Sequence, residues 1–416
     1  MNIVSTGLLW FAYFISLYFA VFWLLVFLTQ TEPHPRKKVK TFPLVSIIVP
    51  AYNEENSIIR TLKHLIQIDY PKEKLEILVI NDGSKDKTQA LVKSFVKQHK
   101  VFNIQLINQE NKGKGAALNN GLKRAKGSYF VCLDADSFVQ KNALKKMLPY
   151  FVDENVASVL PALTVESPTK TLQKLQWYEY IINLFYKELM GKLNCVHVTP
   201  GPFSVYSTTI LRKLGGFDEH NITEDLEMAL RLQKNHYQII QILDTKVTTL
   251  SPSSIKTLYA QRNRWFKGAT LNAIRYRGMI GNKKYGDFGL IQMPTIILSG
   301  VISLILLGSI IYYALKPALL YAYHISLIDF DIWTLINALA FDISIWDLNY
   351  ITIFVGLTML SITILVMNKS QVMVEEKLMK YGSLPIIVYL FLYFFFLAGV
   401  WVGVLFDLMR GRTQQW

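Results

Sequence analysis

Residues 129–136 read Tyr129-Phe130-Val131-Cys132-Leu133-Asp134-Ala135-Asp136. Five apolar residues in a row, aromatic and β-branched at the start, make a short buried strand. It ends at its carboxyl end in two acids one residue apart. Upstream lie three more short apolar runs, residues 45–49, 76–80 and 104–107, followed by stretches with helical spacing at 57–67, 88–97 and 116–123. Strand–helix alternation of this kind predicts a parallel sheet with helices on its faces. In such a sheet, ligands bind beyond the carboxyl ends of the strands. The polar residues obey that rule: Asn53 and Glu54 follow the first strand, Asp82 the second, and Asp134 and Asp136 the last.

Outside this α/β region the chain changes character. Of its 416 residues 51% are hydrophobic and only 18% are charged, against about 25% charged in an average soluble domain. Part of it therefore belongs in lipid. Residues 7–28 form an apolar run long enough to cross a bilayer. No Lys or Arg precedes it and no small-residue cleavage site follows, so it reads as a retained anchor and not a signal peptide. Arg36, Lys37, Lys38 and Lys40 come next, and the positive-inside rule puts that flank, with the domain after it, in the cytosol. Three further spans are expected at residues 290–314, 350–367 and 384–406. The acidic loop 316–349, with Asp329, Asp331, Asp342 and Asp347, suits the outer side; Lys369, Lys377 and Lys380 suit the inner side. Arg410 and Arg412 then fall outside, unless residues 332–346 add a weak extra span, so three or four C-terminal spans stay open. The expected organisation is an anchor and basic flank (1–40), a cytosolic catalytic domain (41–253), amphipathic interfacial helices (254–289) and a membrane bundle (290–416).

The net charge is +14. Beside membrane spans, such a balance points to anionic lipid and phosphate-bearing substrates and not to nucleic acid. Cys132 and Cys195, the two cysteines, exclude a disulfide framework and a four-cysteine zinc site. No GxxxxGK[ST] loop is present, and no GxGxxG follows the first strand, which argues against a dinucleotide oxidoreductase.

Several short stretches carry chemistry. Asp134 and Asp136 can share a hard cation with a diphosphate; the same spacing suits a solvated turn, but its place at a strand end favours the cation. Asn81-Asp82-Gly83-Ser84 either accepts from a base or ribose or caps the next helix. Glycines in Asn111-Lys112-Gly113-Lys114-Gly115 let backbone approach a phosphate, with Lys114 adding charge at a helix start. Thr223-Glu224-Asp225 opens a helix: it is a cap with dipole-favoured acids, or it supplies a general base. Gln261, Arg264 and Trp265 share one helix face at i, i+3 and i+4. There a guanidinium fork suits a diphosphate and a flat ring suits a sugar; a basic helix lying on the membrane is the competing reading.

Taken in this order, Asp82, Asp134-Ala135-Asp136, Thr223-Glu224-Asp225 and Gln261-x-x-Arg264-Trp265 resemble the family 2 glycosyltransferases of GT-A fold. The resemblance is to the membrane-bound processive branch, which includes cellulose, hyaluronan, chitin-oligosaccharide and poly-N-acetylglucosamine synthases. It covers about residues 45–268. The resemblance implies an inverting, metal-dependent transfer of a hexose or N-acetylhexosamine from a UDP-sugar to a growing glycan. It implies that Ala51, Tyr52, Glu54, Asp82, Lys114, Asp134, Gln261 and Arg264 bind the donor. Asp136, with Asp134 beside it, would ligate Mg²⁺ or Mn²⁺. Asp225 would be the base, with Glu224 at the acceptor. Gly201, Pro202, Phe203 and Trp265 would line the acceptor site, although Ser207 stands where hyaluronan-type relatives often carry Arg. A single transfer to a polyprenyl phosphate or other lipid is the alternative; such relatives typically lack the Gln-x-x-Arg-Trp helix. Implied too are a multi-pass plasma-membrane location with the catalytic domain cytosolic, and a homo-oligomer or accessory membrane subunit if product is to be exported.

Overall fold

The computed structural model describes residues 3–29, 34–37, 41–327, 350–373, 375–377 and 379–411. The chain divides into two compact units, Met1–Leu28 with Leu298–Val366, and Thr29–Ile297 with Met367–Trp416. The first unit is helical. It holds α1 (Ile3–Leu28) and parts of two long helices named below.

The second unit is built on a sheet. In chain order it runs β1 (Val45–Ala51), α2 (Ile58–Leu65), β2 (Leu75–Asp82), α3 (Thr88–Gln98), β3 (Asn103–Gln109), α4 (Lys114–Arg124), β4 (Tyr129–Cys132) and β5 (Ser137–Val139). Then follow α5 (Ala143–Met147), β6 (Val156–Val165), α6 (Thr171–Lys192), β7 (Ser204–Ser207), α7 (Thr208–Lys213), α8 (Glu224–Lys234), β8 (Gln238–Thr249) and α9 (Ile255–Arg275). The strands lie in the order β3-β2-β1-β4-β7-β6-β8-β5. β1 is parallel to both β2 and β4, and β2 to β3. This is the predicted parallel half. Beyond β4 the sheet is mixed: β4–β7, β6–β7 and β5–β8 are antiparallel, while β6–β8 is parallel. The purely parallel expectation is corrected there.

Both sheet faces are covered, which is why β1 and β2 read as unbroken apolar runs. Along β1, Val45, Ile47 and Val49 enter one core with Val79, Val131 and Phe203. Ile48 points the other way, into a second core with Leu78, Ile80, Phe130 and Tyr206. The period of two thus assigns alternate residues to the two faces.

After α9 come α10 (Met293–Ser326), α11 (Tyr350–Met373), α12 (Ser383–Phe391) and α13 (Tyr393–Met409). Among the described residues three helices are long and apolar enough to cross a membrane: Gly7–Leu28, Phe288–Pro317 and Ile353–Met373. The span expected at 384–406 falls on a pair, α12 and α13, bent by 45°, which together are apolar and long enough for a broken span or a re-entrant loop. It packs along the sheet unit. Leu175 of α6, Leu258 of α9 and Tyr393 of α13 share one apolar cluster, and Phe266 stacks on Trp401 at 4.7 Å. Residues 332–346, Arg412, Lys38, Lys40 and the four acids of the loop lie outside the described residues.

Among the described residues three ion pairs fasten α9, one of them the exposed Arg275 with Asp218. Arg262, 1% exposed, meets Glu179 of α6 at 2.5 Å, and the Tyr393 hydroxyl donates to the same carboxylate at 2.8 Å. Lys267 meets Asp407 of α13 at 2.6 Å. Removing one member of a buried pair strands the other charge. Arg262→Met should therefore cost about 3–5 kcal/mol of stability, and adding Glu179→Leu should recover part of it. Denaturant melts of the detergent-solubilised chain measure both; an unaffected single variant would show the pair to be idle.

Candidate active site

The loops at the carboxyl ends of β1 and β2 clasp one another. The Asn53 amide donates to the Ser84 hydroxyl at 3.0 Å, the Lys85 amide to the Asn53 side chain at 2.8 Å, and the Glu54 amide to Thr88 at 2.7 Å. Tyr52 is left 42% exposed at the rim, whereas Ala51 is buried. The Glu54 carboxylate accepts from Ser57. Burial pushes the Glu54 carboxyl up, the Ser57 hydroxyl partly offsets this, and the charges of Asp134 and Asp86 push the same way as burial.

Asp82 is buried, and its partners show its use. One carboxylate oxygen accepts from Gln109 at 2.7 Å and from the Lys112 amide at 3.0 Å; the other accepts from the Gly113 amide at 2.9 Å. Asp82 thus holds the turn that starts α4. The first residue of that helix is Lys114.

Lys114 is the hub. Its ammonium lies 2.7 Å from Asp134 and 3.1 Å from Glu224. Burial opposes its charge, but Asp134, Glu224, Cys132 and Asp225 outweigh burial and hold its pKa well above the ordinary lysine range. Gly201 presses on this pair: a Cβ there would sit 2.5 Å from both Asp134 oxygens and from the Lys114 ammonium. Only glycine lets the chain pass. Pro202 is buried beside it. Phe203 is 0% exposed and belongs to the apolar core, so it does not line the acceptor site as the resemblance implied.

Asp136 accepts from Ser137 at 3.2 Å and from Thr249 at 3.3 Å. Burial first, then the charges of Asp134 and Glu54, push its carboxyl up to about 7. Among the described residues no group of three or more His, Cys, Asp or Glu could hold a metal. A two-carboxylate set still fits Mg²⁺ or Mn²⁺, which take one or two carboxylates plus substrate phosphates. The crowding of negative charge at Asp136 is what such a cation relieves.

Glu224 and Asp225 open α8 behind Thr223, where the helix dipole favours negative charge. The Asp225 carbonyl accepts from the Thr199 hydroxyl at 2.8 Å, and its carboxylate from the Leu226 amide at 2.8 Å. Burial, then Glu224, push the Asp225 carboxyl up to about 6, with Lys114 and Arg264 opposing.

Helix α9 docks on this turn. Arg264 donates to the Ile222 carbonyl at 3.2 Å. Gly268 lies so close to Thr223 that a Cβ would meet its hydroxyl at 2.3 Å. Asn272 donates to Thr223 and to Asn221, both at 3.1 Å. Gln261 does not join Arg264: its amide oxygen accepts from Arg262. The Arg262 guanidinium lies 4.3 Å over the Trp265 ring. The structure therefore brings together Glu54, Lys114, Asp134, Asp136, Gly201, Glu224, Asp225 and Arg264, and sets Asp82 and Gln261 behind them as supports. Sequence reasoning missed Arg262, Glu179 and Asn272. Arg262 stood inside the quoted Gln-x-x-Arg-Trp, and Asn272 follows Arg264 by eight residues, near the same face.

Gly201→Ala should displace the Lys114–Asp134 pair. Steady-state turnover should fall about 10–100-fold, the cost of misplacing reacting groups by roughly 1 Å, with only a small loss of melting temperature. Full activity in Gly201→Ala would show that the close approach does not matter.

Comparison with known proteins agrees with this geometry. The Glycosyl transferase family 2 model matches residues 46–215. The chain is 31% identical over 243 residues to "Probable glycosyltransferase YdaM" of Bacillus subtilis (strain 168), covering 57% of each. It is 29% identical over 273 residues to a poly-beta-1,6-N-acetyl-D-glucosamine synthase of Staphylococcus epidermidis, covering 64% of this chain and 65% of that one. It thus spans less than two thirds of these relatives' length. Among solved structures, the mannosyltransferase PcManGT from Pyrobaculum calidifontis, in complex with GDP-Man and Mn²⁺, superposes with a TM-score of 0.62 at 21% identity, over 80% of this chain and 95% of that one. The predicted fold class holds: the sheet unit is a Rossmann-like sheet of GT-A type, and residues 46–215 are a glycosyl transferase family 2 domain.

Proposed function

We propose that the chain transfers a sugar from a nucleotide-sugar donor to an acceptor hydroxyl, with inversion, at a membrane surface. The observation that carries this reading is the Lys114 bridge, 2.7 Å from Asp134 and 3.1 Å from Glu224. It joins the end of the sheet that suits a nucleotide diphosphate to the helix start that carries a candidate base.

Each residue then has a task. The clasped loops around Asn53 and Ser84 offer a rim for the nucleotide, with Tyr52 exposed on it. Asp134 and Asp136 would hold a divalent cation, which would supply positive charge for the leaving diphosphate. Arg264, fixed on the Ile222 carbonyl, adds fixed positive charge for the leaving diphosphate. Asp225 takes the proton from the attacking hydroxyl. Its raised pKa makes it a better base than an ordinary aspartate while leaving it ionised above pH 6. Glu224 is held by Lys114 beside it.

A UDP-sugar donor, an N-acetylhexosamine or hexose as the transferred group, and a saccharide acceptor complete the reading. The likeness to a poly-N-acetylglucosamine synthase supports it, as does the Gln261-to-Trp265 helix. The three helices long enough to cross a membrane, and the basic residues Arg36 and Lys37 after the first, support a multi-pass location with the sheet unit in the cytosol. A panel of UDP- and GDP-sugars offered to the purified chain with Mg²⁺ or Mn²⁺, with mass analysis of products, tests it. No turnover of any donor would refute the reading.

Asp225 also sets the pH profile. The working form is the carboxylate, so the rate should climb through pH about 6 and level off above it. Asp225→Asn should lower turnover by about 10²–10⁴ and abolish that limb. Equal rates in variant and wild type would remove Asp225 from the reaction.

A further inference from the structure

One face of α6 runs along the carboxylates. Tyr180 lies within electrostatic reach of Asp134 and Asp136, and Lys187, two helical turns on, within reach of Asp225. Past Asp225 the chain places a polar cluster that the reaction above does not use. His197 precedes by two residues the Thr199 that grips the Asp225 carbonyl. Its Nδ1 accepts from the Gln292 side-chain amide at 3.1 Å. Gln292 ends the π-helical turn Phe288–Gln292, and such turns recur at functional sites. The Gln292 side chain is 2% exposed, and its amide oxygen finds no partner among the described residues. A buried acceptor left so is destabilising, and in a native fold it calls for an explanation.

The cluster's chemistry selects a ligand. Burial, then the Lys187 charge, hold the His197 ring down to about 4, so it is neutral; with Nδ1 accepting, its Nε2 donates. Burial lowers Lys187 to about 8 against the pull of Asp225, so it keeps its proton at neutral pH and also donates. The unsatisfied group is an acceptor, and only a donor can satisfy it. A phosphate dianion is all acceptor; sugar hydroxyls and acetamido N–H groups donate, and hydroxyls also accept.

We propose that Lys187, His197 and Gln292 form a subsite that hydrogen-bonds a saccharide acceptor beyond Asp225. This rests on the glycosyl-transfer reading above and deepens it, because it assigns residues to bind the saccharide acceptor in place of a polyprenyl phosphate.

The test uses the full chain in detergent with UDP-N-acetylglucosamine, Mg²⁺ and an N-acetylglucosamine tetrasaccharide or, separately, a polyprenyl phosphate. For Gln292→Leu and His197→Phe the KM of the tetrasaccharide should rise about tenfold, the worth of one hydrogen bond, and the donor's KM should hold. Gln292→Leu also removes the amide that donates to His197, so the melting temperatures of both variants are measured beside the KM values. An unchanged saccharide KM in both variants overturns the subsite. So does a parallel fall in stability and in affinity for both substrates, which marks a structural role. Transfer to polyprenyl phosphate alone overturns the acceptor class. A wild-type chain that transfers to neither acceptor overturns the underlying reading, and the subsite with it.

Discussion

Five carboxylates, Glu54, Asp134, Asp136, Glu224 and Asp225, crowd one end of the sheet, and the fold has to keep them there. At 4 Å, two like charges repel by about 4 kcal/mol at an effective dielectric near 20. The Lys114 ammonium answers this from between Asp134 and Glu224. Other features follow from placing it there. Asp82 grips the Lys112 and Gly113 amides so that α4 begins at Lys114. Gly201 gives up its side chain to let the bridge close. The start of α8 adds its dipole to the two acids that need it. Burial first, and then what repulsion remains, raise the pKa values of Asp136 and Asp225. That is the condition a cation-binding carboxylate and a general base require.

Helix α9 is the second constraint. It reads as an amphipathic surface helix, yet Arg262, Asn263, Lys267 and Asn272 are buried. Each side of it is tied to a different neighbour: Arg262 to α6, Lys267 and Phe266 to α13, Asn272 and Gly268 to the turn before α8. Arg264 and Trp265 are thus presented by a helix clamped on three sides. A site that must hold reacting groups to within a fraction of an ångström gains from such support.

The parallel half of the sheet was legible because its strands are buried on both faces and read as continuous apolar runs. The site carboxylates were legible because they stand at strand ends and at one helix start. The antiparallel half was not. β5 and β7 have only three and four residues, too few for a period to show. The bend between α12 and α13 was not legible, because hydropathy registers apolar length and not a bend. Phe203 was taken for a site residue by its place after Gly201-Pro202, while burial had already committed it to the core. The Arg262–Glu179 pair joins residues 83 positions apart, and no local pattern announces a contact of that range.

The account stands on Lys114, and its removal tests it most directly. Donor turnover by purified Lys114→Met, measured beside wild type under saturating nucleotide sugar and metal, should fall by about 10²–10³, the loss usual for one preorganised electrostatic group. A wild-type rate in that variant would contradict the claim that this ammonium organises the site.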